Sequence, residues 1–241
     1  MYQLPLNITP RIPYTPDGFI IHEGVKTICD YCLNKTAIDS FRICVIYGEH
    51  LSGKTHLSIK LNDEFAKKGA TPRLMDGISL DDFIMEQGLG AEYSNGTVII
   101  IDNADSYLAN LAPDRSGEFV NMVEALRRSK AALILLTGKQ VSEFPIDAHV
   151  RSRLRPGEGF FISNPNEQEM YCLIDTISKQ RGIKLTPKKI NFIIKRIGRS
   201  IPSIVSALNT LLQKSKAGED IDSFEALNYV ISKQQGTIDP A

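Results

Sequence analysis

Gly48-Glu49-His50-Leu51-Ser52-Gly53-Lys54-Thr55 fits the pattern G-x-x-x-x-G-K-[ST] without a gap, and each residue type in it has a mechanical job. Gly48 and Gly53 let the backbone turn tightly, so that the N–H groups of the intervening Glu49, His50, Leu51 and Ser52 point inward at phosphate oxygens. Lys54 reaches the β/γ-phosphates, and the Thr55 hydroxyl is a ligand for Mg²⁺. Upstream, Arg42-Ile43-Cys44-Val45-Ile46-Tyr47 reads as a buried strand running into the loop. Downstream, Leu57, Leu61 and Phe65 recur at helical spacing until Gly69 offers a C-terminal cap. Such a helix aims the positive end of its dipole at the phosphates. Strand, loop and helix together mark a nucleotide-binding protein.

Around that unit, apolar runs alternate with amphipathic stretches in the manner of a parallel α/β sheet. Thr97-Val98-Ile99-Ile100-Ile101 is a β-branched run ending at Asp102; Phe119, Met122, Val123 and Leu126 mark a helix. Ala131 to Thr137 reads as another buried strand, and Phe160-Phe161-Ile162 as a short one. From Asn164 the pattern turns purely helical. Asn164-Pro165 and Thr186-Pro187 each look like a cap followed by a first-turn proline. Ser200 and Ser203 stand near the start of a third helix, and Asp222 to Ser232 makes a fourth. The division expected is an extended arm over 1–15, carrying Pro5, Pro10 and Pro13, an α/β nucleotide-binding domain over 16–163, and a small all-α domain over 164–235.

Asp102, at the carboxyl end of its strand, is placed to organise Mg²⁺ through water. The next position is Asn103, which lacks the carboxylate that would polarise an attacking water; Asp105 reads as a solvated acid at a helix start. Good binding and poor hydrolysis follow. Thr137 ends a core strand with a hydroxyl suited to sensing the γ-phosphate. Arg151-Ser152-Arg153-Leu154-Arg155 forms a basic cluster after a loop, where an arginine can reach a nucleotide on a neighbouring subunit and accelerate its hydrolysis.

Twenty-eight basic and twenty-eight acidic residues give no net charge, so strong direct DNA binding is not built into the whole molecule. Hydrophobic residues make up 42% and charged residues 23%, ordinary for a soluble globular chain. No apolar run is long enough to span a membrane, and no secretory leader is recognisable, which places the chain in the cytoplasm. Cys29 and Cys32 form a C-x-x-C, but Val25, Ile28, Cys29 and Cys32 share one helical face, so core packing is expected of them rather than metal binding.

Together these pieces resemble the AAA+ initiator clade, and within it the DnaA family, over roughly residues 15 to 233. Gly53-Lys54-Thr55-His56-Leu57 is similar to that family's loop signature, which brings His56 into the nucleotide site. Phe19, Ile20 and Ile21, following Asp17-Gly18, resemble the segment used against adenine. Ser152-Arg153-Leu154 resembles the trans-acting arginine motif, with Arg153 as the finger. The resemblance implies an AAA+ P-loop base with a helical lid, ADP or ATP with Mg²⁺ as cofactors, and weak intrinsic ATPase activity.

Gln3-Leu4-Pro5-Leu6 resembles the short peptide by which proteins dock on the bacterial sliding clamp, and the chain stops at Ala241, where DnaA continues into a helix-turn-helix DNA-binding domain. That combination is similar to the Hda (HdaA) group. It implies a regulator that docks on the clamp and promotes hydrolysis of ATP bound to a DnaA-type initiator. Pairing of two arms is compatible with self-association. The rival class is an ATPase that loads a helicase or remodels protein–DNA complexes. Three positions depart from the pattern: Pro202 stands at the lid arginine, with Arg199 the nearest cation; Lys139 follows the sensing hydroxyl where an aspartate is common; and His149 replaces an arginine.

Overall fold

β-branched and aliphatic runs build a five-stranded, wholly parallel sheet, in which β1 (Arg42–Tyr47), β2 (Thr71–Asp76), β3 (Thr97–Asp102), β4 (Ala132–Thr137) and β5 (Glu158–Phe161) lie in the order β2-β3-β4-β1-β5. The computed structural model describes residues 16–33, 40–88, 92–155, 157–197, 201–218, 221 and 223–235. By internal contacts these fall into two units, 16–163 and 164–235.

In the first unit the period-2 alternation of each strand sorts its side chains onto two faces. Ile43, Val45, Ile99, Ile101, Leu133 and Leu135 pack against α3 (Leu80–Gln87), α4 (Asp105–Leu108), α5 (Ser116–Arg128) and α6 (Ala148–Leu154). Cys44, Ile46, Val98, Ile100, Ile134 and Leu136 pack against α1 (Glu23–Leu33) and α2 (Lys54–Lys67). Both faces of the central strands are covered, which is why they read as unbroken apolar runs; each such side chain stabilises the fold by about 1.5–3 kcal/mol. Cys29 and Cys32 are buried in the second of these cores, with the Cys32 and Cys44 sulfurs 3.7 Å apart. Burial raises the thiol pKa of Cys29 to about 12.

The second unit is a bundle of α7 (Glu167–Gln180), α8 (Pro187–Ile197), α9 (Ile201–Lys216) and α10 (Phe224–Gln235) around Met170, Ile174, Ile190, Ile193, Leu208 and Leu227. Its first helix starts later than the Asn164-Pro165 pair implies. Asn166 is the cap: its side chain accepts from Glu169 N at 3.0 Å, while Asn166 N donates to Glu169 Oε2 at 2.8 Å. That reciprocal box satisfies two otherwise orphan groups, and it outweighs a proline-only signal. No helix among the described residues is long and apolar enough to cross a membrane.

β2 and α3 have no counterpart among the elements expected. β2 is an edge strand carrying Pro72 and Arg73 and largely exposed, so it lacks the apolar run that announces its neighbours. β5 begins at Glu158 and ends at Phe161, leaving Ile162 beyond it. The clamp-like Gln3, Leu4, Pro5 and Leu6 lie outside the described residues, as does Arg199.

Candidate nucleotide-binding site

β1 delivers the chain to the site between β4 and β5, at the carboxyl edge of the sheet, where open α/β sheets bind their ligands. Tyr47 pairs in register with Thr137, and Gly48 N donates to Thr137 O at 3.1 Å. A Cβ on Gly48 would meet Ser52 Oγ at 2.8 Å and Ile162 Cβ at 3.2 Å, so a side chain there would have to displace Ser52. The loop then closes on itself through Ser52 N to Glu49 O, with Leu51 (φ 61°) and Gly53 (φ 94°) both left-handed. Gly53 precedes α2 and offers no side-chain cap. The first-turn N–H groups of that helix therefore face the loop, with the positive end of the helix dipole behind them. Glu49, His50 and Leu51 are exposed around this cradle, and Ser52 is buried.

The Lys54 ammonium donates to the carbonyls of Gly48 and Glu49, at 2.7 Å each. Partial burial lowers its pKa, against the opposing pull of the Asp105 and Asp102 carboxylates. Burial raises the Asp102 carboxyl above the usual range, and the Thr55 hydroxyl and the Asn103 N–H beside it work the other way. Thr55 and Asp102 thus set two hard oxygens side by side next to an uncapped helix start, a donor set that fits Mg²⁺ bound jointly to nucleotide phosphates. Among the described residues no cluster of three or more His, Cys, Asp or Glu could hold a metal by itself.

Asn103 follows with φ 51°. Asparagine tolerates the left-handed region that swings the chain out of β3, and its carbonyl caps Ser106 through N–H (3.1 Å) and Oγ (2.8 Å). Asp105 is not the solvated acid the sequence implies. Its two carboxylate oxygens share the Gly138 N–H, at 2.9 and 2.8 Å, which fastens the start of α4 to the turn after β4. That pairing spans 33 residues and leaves no local trace. Thr137 is fully buried and its hydroxyl donates to Lys139 O at 2.8 Å. Lys139 itself reaches over the Phe144 ring, 4.7 Å from its centroid.

Phe19 packs partly buried in the α1–α2 core and meets the His56 ring edge-on, with centroids 5.8 Å apart. Ile20 is half-buried, whereas Ile21 is 51% exposed. The segment is pinned at Gly24, where a Cβ would lie 2.3 Å from Ser163 O.

The basic cluster separates into different jobs. Arg151 donates to the carbonyls of Ser142, Phe144 and Ile146 at 3.2–3.4 Å and anchors the preceding loop. Arg153 is gripped at Nε by Glu124 Oε1 of α5 at 2.5 Å, with Nη1 3.4 Å from Ser152 Oγ. Arg155 is exposed. Elsewhere, a groove of about 450 Å³ beside α3 and α4 is lined by Tyr107 and by Arg115, whose charge is met by Asp81 and Glu118.

No protein-family model matches the chain. It is similar to the chromosomal replication initiator protein DnaA of Oenococcus oeni (22% identity over 190 residues, 74% of this chain and 41% of that protein) and of Borrelia turicatae (22% over 233 residues, 91% and 47%). The chain thus spans less than half the length of these relatives. Among solved structures it resembles domain III of the Thermotoga maritima replication initiation protein DnaA (TM-score 0.71, 18% identity, 94% of this chain and 98% of that one). AMPPCP-bound DnaA from Aquifex aeolicus follows at TM-score 0.67 (17% identity, 90% and 69%). The Thermotoga maritima RuvB Holliday junction branch migration motor resembles it at 0.64 (16%, 94% and 72%). At these identities the likeness is one of fold, that of DnaA domain III.

Proposed function

We propose that this chain binds ADP or ATP with Mg²⁺ in the Gly48–Thr55 loop and regulates replication initiation in the cytoplasm. It docks on the sliding clamp through Gln3, Leu4, Pro5 and Leu6 and presents Arg153 to ATP held by a DnaA-type initiator. The observation that carries the reading is the state of Arg153: gripped at Nε, yet 40% exposed, so that the exposure falls on the Nη end, the end that pairs with phosphate oxygens.

On the chain's own nucleotide, Lys54 and the α2 N-terminus hold phosphate charge, Thr55 and Asp102 hold the metal, and Phe19 with His56 borders the base. Bound Mg²⁺ neutralises charge developing on the phosphates. Asn103 offers no carboxylate to take a proton from water and Asp105 is committed to Gly138 N–H, which supports retention of nucleotide over turnover. AMPPCP bound to the Aquifex aeolicus DnaA supports the choice of an adenine nucleotide. In the partner, Arg153 stabilises the charge of the transition state, and the initiator is left with ADP.

The test uses DNA-loaded clamp, ATP-loaded DnaA and the full chain. Alanine at both Gln3 and Leu6 should abolish clamp binding and clamp-dependent hydrolysis while nucleotide affinity stays unchanged. Clamp binding equal to wild type in that variant sinks the tether. The RuvB likeness favours a second reading, a remodelling or helicase-loading ATPase, for which DNA-stimulated turnover by this chain alone is the signature.

A further inference from the structure

Glu124 lies on the exposed side of α5, one turn before the helix ends, and nothing in its local sequence marks it. In the fold its carboxylate meets two cations: Arg153 Nε across the α5–α6 contact at 2.5 Å, and Arg127 Nε on its own helix at 3.9 Å. Arg127 is itself steadied by stacking over Phe41, 5.2 Å from the ring centroid.

The manner of the grip matters. A carboxylate facing both Nη atoms of an arginine takes up the fork that binds phosphate. Here the carboxylate sits against Nε as an ion pair without hydrogen-bond alignment, and that nitrogen is closed to solvent, while the side chain as a whole is 40% exposed. Ser152 Oγ, which donates to His149 O at 2.7 Å, borders Nη1. The guanidinium is therefore held by its inner nitrogen with its outer edge offered outward. A free arginine has many rotamers to give up, and fixing it beforehand lowers what must be lost when it engages a phosphate.

We infer that Glu124 is a positioning residue for Arg153, orienting its Nη edge toward a phosphate on a neighbouring molecule. This rests on the reading of Arg153 as an arginine acting in trans, and it adds the group that sets its aim. Glu124 touches neither nucleotide nor phosphate.

The experiment measures single-turnover hydrolysis of ATP prebound to DnaA against increasing concentrations of the full chain, with DNA-loaded clamp present. Wild type is compared with Glu124→Ala, Glu124→Gln and Arg153→Ala, after thermal melting and nucleotide titration have established that each is folded. Glu124→Ala should lower the maximal rate roughly ten- to a hundredfold, as misaim of a catalytic group does, with little change in the half-maximal concentration. Glu124→Gln keeps the shape but removes the charge that holds Nε, and should lose about as much. A loss with Arg153→Ala but wild-type rates for both Glu124 variants overturns the positioning role alone. A wild-type rate for Glu124→Gln beside a loss for Glu124→Ala overturns it as well, since the charge would then not be what counts. No effect of Arg153→Ala overturns the trans reading beneath it.

Discussion

The Thr55 hydroxyl stands beside the Asp102 carboxylate, close enough to ease its ionisation, which brings the last residue of the phosphate loop to the last residue of β3. Two elements far apart in sequence thereby share one oxygen pair at the carboxyl edge of the sheet. Thr55→Ala and Asp102→Ala should each remove the Mg²⁺-dependent part of nucleotide affinity, and the double variant should lose little more than either alone, because coupled groups are not additive. Calorimetric titration with and without Mg²⁺ checks this; fully additive losses would mean that the two residues act apart.

Asp102 also makes a prediction about pH. Burial lifts its carboxyl above the ordinary 3.8, so the folded chain holds that proton more tightly than the unfolded chain does. Its contribution to stability is full below the unfolded value and is lost as pH rises through the folded one. At neutral pH the ionised, buried carboxylate weakens the nucleotide-free fold. Asp102→Asn should therefore melt at or above wild type at pH 7, and the difference should vanish below about pH 4. A lower melting point at pH 7 that persists at pH 4 would contradict this.

Lys54→Ala removes the ammonium that would meet the phosphates. Charged hydrogen bonds of this kind contribute about 1.5–3 kcal/mol, so affinity for ATP and ADP should fall by roughly ten- to a hundredfold or more. A fluorescent-nucleotide titration reads the change, and undiminished affinity would mean that the loop is not the nucleotide site.

Asp105→Ala leaves Gly138 N–H without its carboxylate. Stability should drop by about 1–3 kcal/mol, with Asp105→Asn intermediate because it retains one acceptor. Thermal or urea melts separate the two, and an Asp105→Ala protein as stable as wild type would mean that the tie from α4 to the β4 exit is idle.

Gly77 sits under the turn that follows Asp102. A Cβ there would lie 2.4 Å from Asn103 O and 2.6 Å from Ser106 Oγ. Gly77→Ala should cost about 1–3 kcal/mol through overpacking and weaken nucleotide binding by displacing Asn103. A wild-type melting curve would show that this contact relaxes without cost.

The phosphate loop and its flanking strand and helix were legible because their signals are local: glycine at fixed offsets, a β-branched run, and helical spacing of Leu57, Leu61 and Phe65. The same holds for β3, β4 and α5. β2 was not legible, since an exposed edge strand with Pro72 and Arg73 carries no apolar pattern. The role of Asp105 and the partner of Arg153 were hidden for another reason. Gly138 lies 33 residues from Asp105, and Glu124 sits on a different helix from Arg153; only the fold brings them together. Arg151 and Arg153 look alike in the sequence, and it is the carbonyls around one and the carboxylate beside the other that separate an anchor from an offered group.

The most direct measurement follows ATP prebound to DnaA on adding this chain or its Arg153→Ala variant, with DNA-loaded clamp present. Clamp-dependent acceleration by wild type, lost in the variant, is the expected result. Rapid ATP turnover by this chain alone, with no acceleration of the partner, would contradict it.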